Sequence, residues 1–251
     1  EVHYMQSDAD NMSVAVETSV DSLVYEHVPL GDVGCSAIYL PKGDGTHFVD
    51  ARVSLDDEEA IALNGDFRSG EEDGVLDMML SLSHLPLSLA NGFIPDHLIA
   101  LQGDLDGEVT VKGSTSSPVI NGELVLDSVN VKSDVYGMSF RLDNRPVRID
   151  NSKLTFDNFS VYTRTDNPFR LTGTVDFSDM ADMLLDLRMV ARNYELVNAS
   201  RKKNSVLYGK VYVDVFSTLQ GSVNNLKMRG NVNVLGKTDV TYVLKDSPLT
   251  V

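Results

Sequence analysis

Apolar and polar residues alternate with a period of two along most of the chain. Residues 108–113 read EVTVKG, so Val109 and Val111 fall on one side of an extended strand and the polar residues on the other. The same alternation returns at 171–177 (LTGTVDF) and at 210–215 (KVYVDV). Strands with one apolar and one wet face are typical of an antiparallel sheet.

The alternation also predicts which side chains share the apolar face. Successive side chains of a strand point to opposite faces of the sheet, so every second residue of each run belongs to one face. We predict that this face lines an apolar groove. The predicted lining residues are Leu76, Met78, Leu80, Val109, Val111, Leu124, Leu126, Leu171, Val175, Phe177, Val211, Val213, Val215, Val232 and Val234.

Turn signals divide the chain into about fifteen candidate strands. Gly, Asn and Asp pairs such as Asn121-Gly122, Ser69-Gly70 and Asp73-Gly74 separate the alternating runs at the spacing of an all-β protein. Two segments depart from this rhythm. Residues 86–93 predict a short helix, and 178–185 either begin a helix or run directly into a strand.

A repeated pattern indicates how the strands are arranged. Residues 113–126 read GSTSSPVINGELVL and residues 221–235 read GSVNNLKMRGNVNVL, with two glycines nine positions apart in each copy. Repeats favour extended stacking, and glycines suit the bends of a curled strand. A sandwich or a closed barrel is the alternative way to cover an apolar face. The predicted fold is therefore all-β, an elongated, repetitive, curled antiparallel sheet with one or two short helices. Residues 1–99 are predicted to form an N-terminal β segment that is continuous with a repetitive β-groove at 100–251.

Charge is distributed unevenly along the 251 residues, which carry a net charge of −16. Residues 1–108 hold 22 Asp and Glu against 3 Lys and Arg, a net −19, whereas 109–251 hold 15 against 18, a net +3. An acidic front half argues against nucleic acid as a partner, because binding to nucleic acid needs clustered cations. We interpret it as a solvated surface, with pairing to a basic partner or a neighbouring segment as the alternative.

Catalytic and metal-binding motifs are not found in the sequence. Asp104, Asp106 and Glu108 resemble half a calcium loop, but their alternation predicts the wet face of one strand. The acidic runs at 56–59 and 71–73 are interpreted as solvated turns, and the basic run 201–203 as a loop that is either solvated or in contact with lipid head groups or a partner. Metal-ligand spacing is lacking among the histidines, which are His3, His27, His47, His84 and His97. We therefore expect no metal, no cofactor and no enzymatic activity.

Cysteine content and hydropathy add two expectations. The single cysteine, Cys35, excludes an internal disulfide and is expected to be a small buried apolar residue. No apolar run approaches the roughly 18–20 residues of a membrane-spanning helix. The chain begins mid-pattern with Glu1, so we interpret it as a fragment of a longer protein whose membrane anchor lies elsewhere.

Three stretches carry a resemblance to a known family. They are residues 101–126 (LQGDLDGEVTVKGSTSSPVINGELVL), 185–198 (LDLRMVARNYELVN) and 208–243 (YGKVYVDVFSTLQGSVNNLKMRGNVNVLGKTDVTYV). Together they resemble the C-terminal part of the TamB family, the translocation and assembly module subunit of the AsmA-like group, most of all the versions from Bacteroidetes. The second repeat departs from the family pattern, since Leu226 stands where the first copy has Pro118.

This resemblance implies a function in the cell envelope. Its members fold as a taco-shaped β-groove, are anchored in the inner membrane, cross the periplasm and work with an outer-membrane barrel of the Omp85 type, similar to TamA. The implied activity is transport of phospholipid, held by its acyl chains, toward the outer membrane in a Gram-negative bacterium. A scaffold or chaperone for outer-membrane β-barrel proteins, or a purely structural β-sandwich, are the alternatives.

Overall fold

The strands of the protein form one antiparallel sheet. A computed structural model describes residues 2–8, 11–25, 28–68, 74–94, 99–133, 137–201 and 207–243. Most of its sixteen strands pair with their neighbours in sequence. The strands are β1 Val2–Asp8, β2 Asn11–Tyr25, β3 Val28–Pro41, β4 Thr46–Leu55, β5 Glu58–Arg68, β6 Val75–Pro86, β7 Ala100–Ser114, β8 Pro118–Ser133, β9 Met138–Leu142, β10 Val147–Asp150, β11 Lys153–Tyr162, β12 Phe169–Asp176, β13 Leu184–Ala199, β14 Leu207–Ser222, β15 Lys227–Val234 and β16 Asp239–Tyr242.

The predicted all-β, elongated and curled sheet is confirmed. One sheet is present among the described residues, and the sandwich alternative needs two. Strand β6 pairs with β7, so the sheet continues across the predicted division at residues 99 and 100. Some predicted features lie outside the described residues: the turn at Ser69-Gly70, the acidic run 71–73, His27, His97 and Lys202-Lys203.

Two positions of the sheet hold a strand that is broken in two. Strands β9 and β10 both pair with β8, one at each end, and residues 143–146 separate them. Strands β15 and β16 divide the edge of β14 in the same way, with 235–238 between them. The sixteen strands therefore fill fourteen positions, and thirteen steps of about 4.8 Å make the sheet about 62 Å wide across its strands.

A row of paired residues crosses the sheet from strand to strand and defines its two faces. We call it the central row, and we call the face that it belongs to the inner face. Each residue of the row is the registered partner of the next, from β2 to β14. The central row is Val16, Ala37, Ala51, Leu63, Leu80, Val109, Gly122, Ile149, Leu154, Val175, Leu185 and Gly221.

A line of β-bulges lies on one side of the central row. Ser22, His84, Ser128, Asn158 and Asn193 sit at register shifts and have left-handed backbones, with φ between 48° and 53°. Bulges bend a strand and increase its twist, so these five bulges curl the sheet on that side of the central row. Three of these residues donate their N–H to an aspartate of the neighbouring strand, each at 2.7 Å: Ser22 to Asp32, His84 to Asp106 and Asn193 to Asp214.

One 3₁₀ helix, Leu87–Phe93, connects β6 to β7, where the sequence predicted a short helix. Its Asn91 side chain bonds both the N–H and the carbonyl of Leu101 in β7, at 2.7 and 3.0 Å. Phe93 stacks on Tyr25 of β2 at 4.7 Å between ring centroids. A helix of seven residues thus contacts both β2 and β7, which requires the sheet to curl. The second candidate helix, at 178–185, is a turn that runs into β13, the other outcome expected from the sequence.

The hydrophobic core lies where β13 and β14 curl toward β9. Ala191, Tyr194, Val213 and Val215 are buried together, and Phe140 of β9 packs against them. On the same side of the sheet, Asn198 donates its N–H to the carbonyl of Gly137. Ten of the twelve buried apolar residues among the described ones lie beyond residue 128, so the second half of the sheet is the better packed half.

Candidate functional site

The inner face is the most extensive chemical feature of the molecule. Every side chain of the central row is apolar or absent, through twelve consecutively paired strands. A second row, displaced from the central row by one residue along each strand, lies on the outer face, and most of its side chains are polar. Its paired residues are Arg52, Ala62, Ser81, Glu108, Glu123, Arg148, Thr155, Thr174, Asp186, Gln220 and Lys227.

The register places the predicted lining residues on the inner face. Leu80, Val109 and Val175 belong to the central row itself. Phe177 lies just after β12 and donates its N–H to the carbonyl of Ser152 at 2.9 Å. The other inner-face residues occupy the same face two or more residues away from the row: Leu76, Met78, Val111, Leu124, Leu126, Leu171, Val211, Val213, Val215, Val232 and Val234.

Exposure of the inner face differs between the two halves of the sheet. In β2, Val16 and Val20 are 37% and 47% exposed. Val213 and Val215 lie instead in the packed core at 3% and 8%, and are covered by protein. The inner face is therefore exposed in β2, mostly half-buried over β3 to β8, where Val109 is 9% exposed, and a filled core over β13 and β14.

The last strands end in an exposed edge. Val232 and Val234 of β15 are on the inner face, but they are 54% and 65% exposed, because β15 pairs only with β14 among the described strands. Every residue of β15 is exposed. These two valines are accessible through the edge of the sheet and are not covered by a further strand.

Glycines of the repeat let neighbouring strands approach closely on the inner face. A Cβ at Gly122 would lie 2.2 Å from the carbonyl oxygen of Glu108, and one at Gly230 would lie 2.1 Å from that of Phe216. Both residues are the second glycine of their copy, and each follows a hairpin, β7–β8 or β14–β15. The two copies therefore share one structural role, which is close contact within a curled hairpin.

His47 is a polar residue of the inner face that the sequence reasoning did not single out. It pairs with Pro41 and Phe67 in register, and its Nδ1 lies 2.8 Å from the Tyr39 hydroxyl. Its ring stacks on Tyr39 at 5.6 Å and contacts Phe67 at 5.1 Å. Alternation from Val49 places it on the apolar face, and this is the signal by which it could have been found.

Titratable groups elsewhere have structural partners. Burial raises the pKa of Tyr194 in the core. Glu195 is buried and accepts hydrogen bonds from the Tyr212 hydroxyl and the Asn198 amide, both at 2.8 Å, and the bond to Glu195 raises the pKa of Tyr212. These contacts stabilise the C-terminal half.

The acidic motifs weighed from the sequence also have local roles. Asp106 caps the His84 bulge, and Asp56 and Asp57 form the two-residue turn between β4 and β5 with φ of 50° and 66°. No cluster of three or more metal-ligating side chains occurs in the part of the chain that the structure describes. Cys35, expected to be buried, is half-buried on the inner face, opposite Thr18 and Val53.

Comparison with protein-family models, with curated proteins and with solved structures gives no match. Among the described residues, the single short helix falls well below the length and hydropathy that a membrane span needs. The function must therefore be argued from the inner face itself.

Proposed function

We propose that the inner face carries the acyl chains of phospholipid. The observation that supports this most directly is the central row, which crosses twelve paired strands without a charged or polar side chain. The chains lie on the inner face over β2 to β8, which is the less buried part, because the inner face over β13 and β14 is already filled by protein.

Energetics favour movement along such a surface. Transfer of an acyl chain from water to an apolar surface gains about 0.8 kcal/mol per CH₂, whereas transfer from a bilayer is close to neutral. A row of Val, Leu, Ala and Gly offers no charged group that would hold a lipid at one position. The inner face therefore suits a path along which lipid slides between two membranes.

The resemblance of residues 101–243 to the TamB family supports the cellular setting of this proposal. In that setting the chain belongs to a periplasmic protein with its anchor in the inner membrane, and an Omp85-type barrel similar to TamA receives the lipid. The curled sheet, with its apolar inner face and polar outer face, matches the groove that the resemblance implies.

Two adjacent residues of β8 provide a matched test. Leu124 pairs with Gly107 and Val147 on the inner face, whereas Glu123 pairs with Glu108 and Arg148 on the outer face. A photo-crosslinking amino acid at position 124 should capture phospholipid from the expression host, as detected by mass spectrometry. The same crosslinker at position 123 should not. Equal capture at both positions, or none at either, would contradict the proposal.

An arginine substitution on the inner face tests lipid binding, with a substitution on the outer face as its control. Val111 lies on the inner face opposite Met78 and Ile120, and Thr110 lies on the outer face of the same strand. Val111→Arg should reduce the lipid bound by the folded protein several-fold, while Thr110→Arg should leave it unchanged. Circular dichroism of both variants verifies that they fold.

A scaffold for outer-membrane β-proteins is the second candidate function. The observation in its favour is the exposed edge of β15, since an open edge can pair with an incoming strand. Binding of a β-barrel peptide that is blocked by Val232→Pro, and not by Val111→Arg, would favour the scaffold over the lipid path.

A further inference from the structure

The outer face of β14 carries a line of aromatic rings, each covered by a cation. Tyr208, Tyr212 and Phe216 alternate with the inner-face valines of the strand, so they lie on the outer face at every fourth position. The distances from cation to ring centroid are 5.5 Å for Arg201 over Tyr208, 3.8 Å for Lys237 over Tyr212 and 5.4 Å for Arg192 over Phe216. We call these six residues the basic–aromatic strip.

Positive charge extends from the strip onto the neighbouring strands. Arg188 of β13 and Arg229 of β15 lie on the same outer face and are partners, in register, of Thr218. With Phe216 they border a shallow concavity of about 310 Å³. The strip is therefore the centre of a basic outer surface that covers three strands.

Three carboxylates near the strip accept hydrogen bonds from neutral groups. Asp214 accepts the N–H of Asn193 at 2.7 Å, Asp186 accepts the amide of Gln220 at 2.9 Å, and Glu195 accepts the hydroxyl of Tyr212, a member of the strip. Within the described residues, no cation of the strip lies within 4.0 Å of a carboxylate.

The first half of the sheet uses its cations differently. Lys42 pairs with Asp66 at 2.5 Å, Arg52 with Asp50 at 3.0 Å and Lys112 with Asp77 at 3.0 Å. These three cations are paired with carboxylates, whereas the cations of the strip contact aromatic rings.

The length and chemistry of the strip fit an extended anionic surface. Tyr208 and Phe216 are eight residues apart, so the strip extends for about 27 Å along β14. Tyrosine with arginine and lysine is the combination found at membrane–water interfaces. Guanidinium groups bind phosphate oxygens through paired hydrogen bonds. The arginines of this surface therefore suit the phosphates of lipid head groups.

We propose that the basic–aromatic strip docks the protein against a bilayer surface that exposes anionic phospholipid phosphates. This is a binding surface separate from the inner face, on the opposite side of the sheet. It leaves the apolar surface over β2 to β8 uncovered while β13 to β15 contact the head groups.

Vesicle flotation of the purified protein tests the docking. The probes are vesicles of phosphatidylcholine alone and vesicles in which part of it is replaced by phosphatidylglycerol. The protein should bind the anionic vesicles at least about tenfold more tightly, and added salt should weaken this binding because it screens the charges.

Charge-matched variants separate the effect of the basic outer surface of β13 to β15, which includes Arg192 of the strip, from the effect of overall charge. The triple variant Arg188→Glu, Arg192→Glu, Arg229→Glu should lose at least about tenfold in binding to the anionic vesicles. The control Lys42→Glu, Arg52→Glu, Lys112→Glu changes the net charge equally on the other half of the sheet and should stay within about threefold of the unmodified protein.

Three results would overturn the proposal. The first is equal binding of the unmodified protein to both kinds of vesicle, and the second is an equal loss in the two triple variants. The third is self-association at low salt that the first triple variant abolishes without any vesicle binding, because this would identify the acidic half of a second copy as the partner. Lipid capture at position 124 is measured in the same variants, so failure of docking and failure of the lipid path are distinguishable.

Discussion

Ser217 interrupts the apolar pattern of the inner face in β14. Its hydroxyl is buried and has no hydrogen-bond partner among the described residues, and its registered partners are Met189 and Gly230. A buried hydroxyl without a partner costs about 1–3 kcal/mol, so Ser217→Ala should raise the free energy of unfolding by about 1 kcal/mol in urea titrations. Ser160→Ala is the control, because that buried hydroxyl bonds the carbonyl of Asn158 and its loss should destabilise the protein. A loss of stability in Ser217→Ala equal to that of the control would contradict the prediction.

Asp143 connects the broken strand β9–β10 to β11 and makes stability depend on pH. Burial acts to raise the pKa of this carboxyl, but hydrogen bonds from Arg145 and from the Ser160 N–H outweigh it and hold the pKa below its usual value of 3.8. The stabilising contribution is therefore complete above pH 3.8 and is lost as the pH falls through the lower pKa of the folded state. Asp143→Asn should lower the free energy of unfolding at pH 7, and the difference from the unmodified protein should shrink below pH 3.8. A difference that stays constant with pH would show that the carboxylate charge is not responsible.

At the scale of the elements, alternation predicts which face of the sheet a side chain belongs to, but it does not predict where a strand bends. The runs around Val109, Leu171 and Val213 gave both the strands and their inner sides, because a period of two follows from strand geometry alone. The bulges at His84 and Asn193 have no such signal, since each depends on an aspartate more than twenty residues away in the chain. For the same reason the sequence did not reveal that β9 and β10 share one position in the sheet.

The repeat glycines belong to this scale, because they act through the contact between two strands. A methyl group at Gly122 would lie 2.2 Å from a backbone oxygen of β7, which cannot move aside without displacing the strand. Gly122→Ala should lower the free energy of unfolding by about 1–3 kcal/mol. Gly43→Ala is the control, since a methyl group there has no neighbour within 4 Å. Thermal unfolding that is equally affected by both substitutions would show that chain entropy, and not strand contact, determines the effect.

For the whole molecule, the sequence anticipated a uniform groove, and the structure shows two different halves. Composition gave the charge asymmetry between the halves. Exposure depends instead on the curl, which packs Phe140 against the core of the second half and covers β2 less completely in the first. Val213 and Val215 follow the same alternation as Val16 and Val20, so no local pattern could separate buried valines from exposed ones. The sequence also did not reveal the basic–aromatic strip, because Arg192, Arg201 and Lys237 come together over the rings of β14 only after folding.

This difference between the halves predicts how the molecule responds to lipid. Backbone amides of β13 and β14 should exchange with deuterium most slowly, because the core lies on these strands, and those of β2 to β4 should exchange more quickly. Phospholipid that binds the folded inner face stabilises the strands it covers, so adding it should slow exchange in β2 to β8 and leave β13 and β14 unchanged. Mass spectrometry of the exchanged protein resolves the two regions, and Val111→Arg should remove the effect. Protection that appears only in β13 and β14 would move the lipid site to the packed half, which contradicts an open path along the first strands.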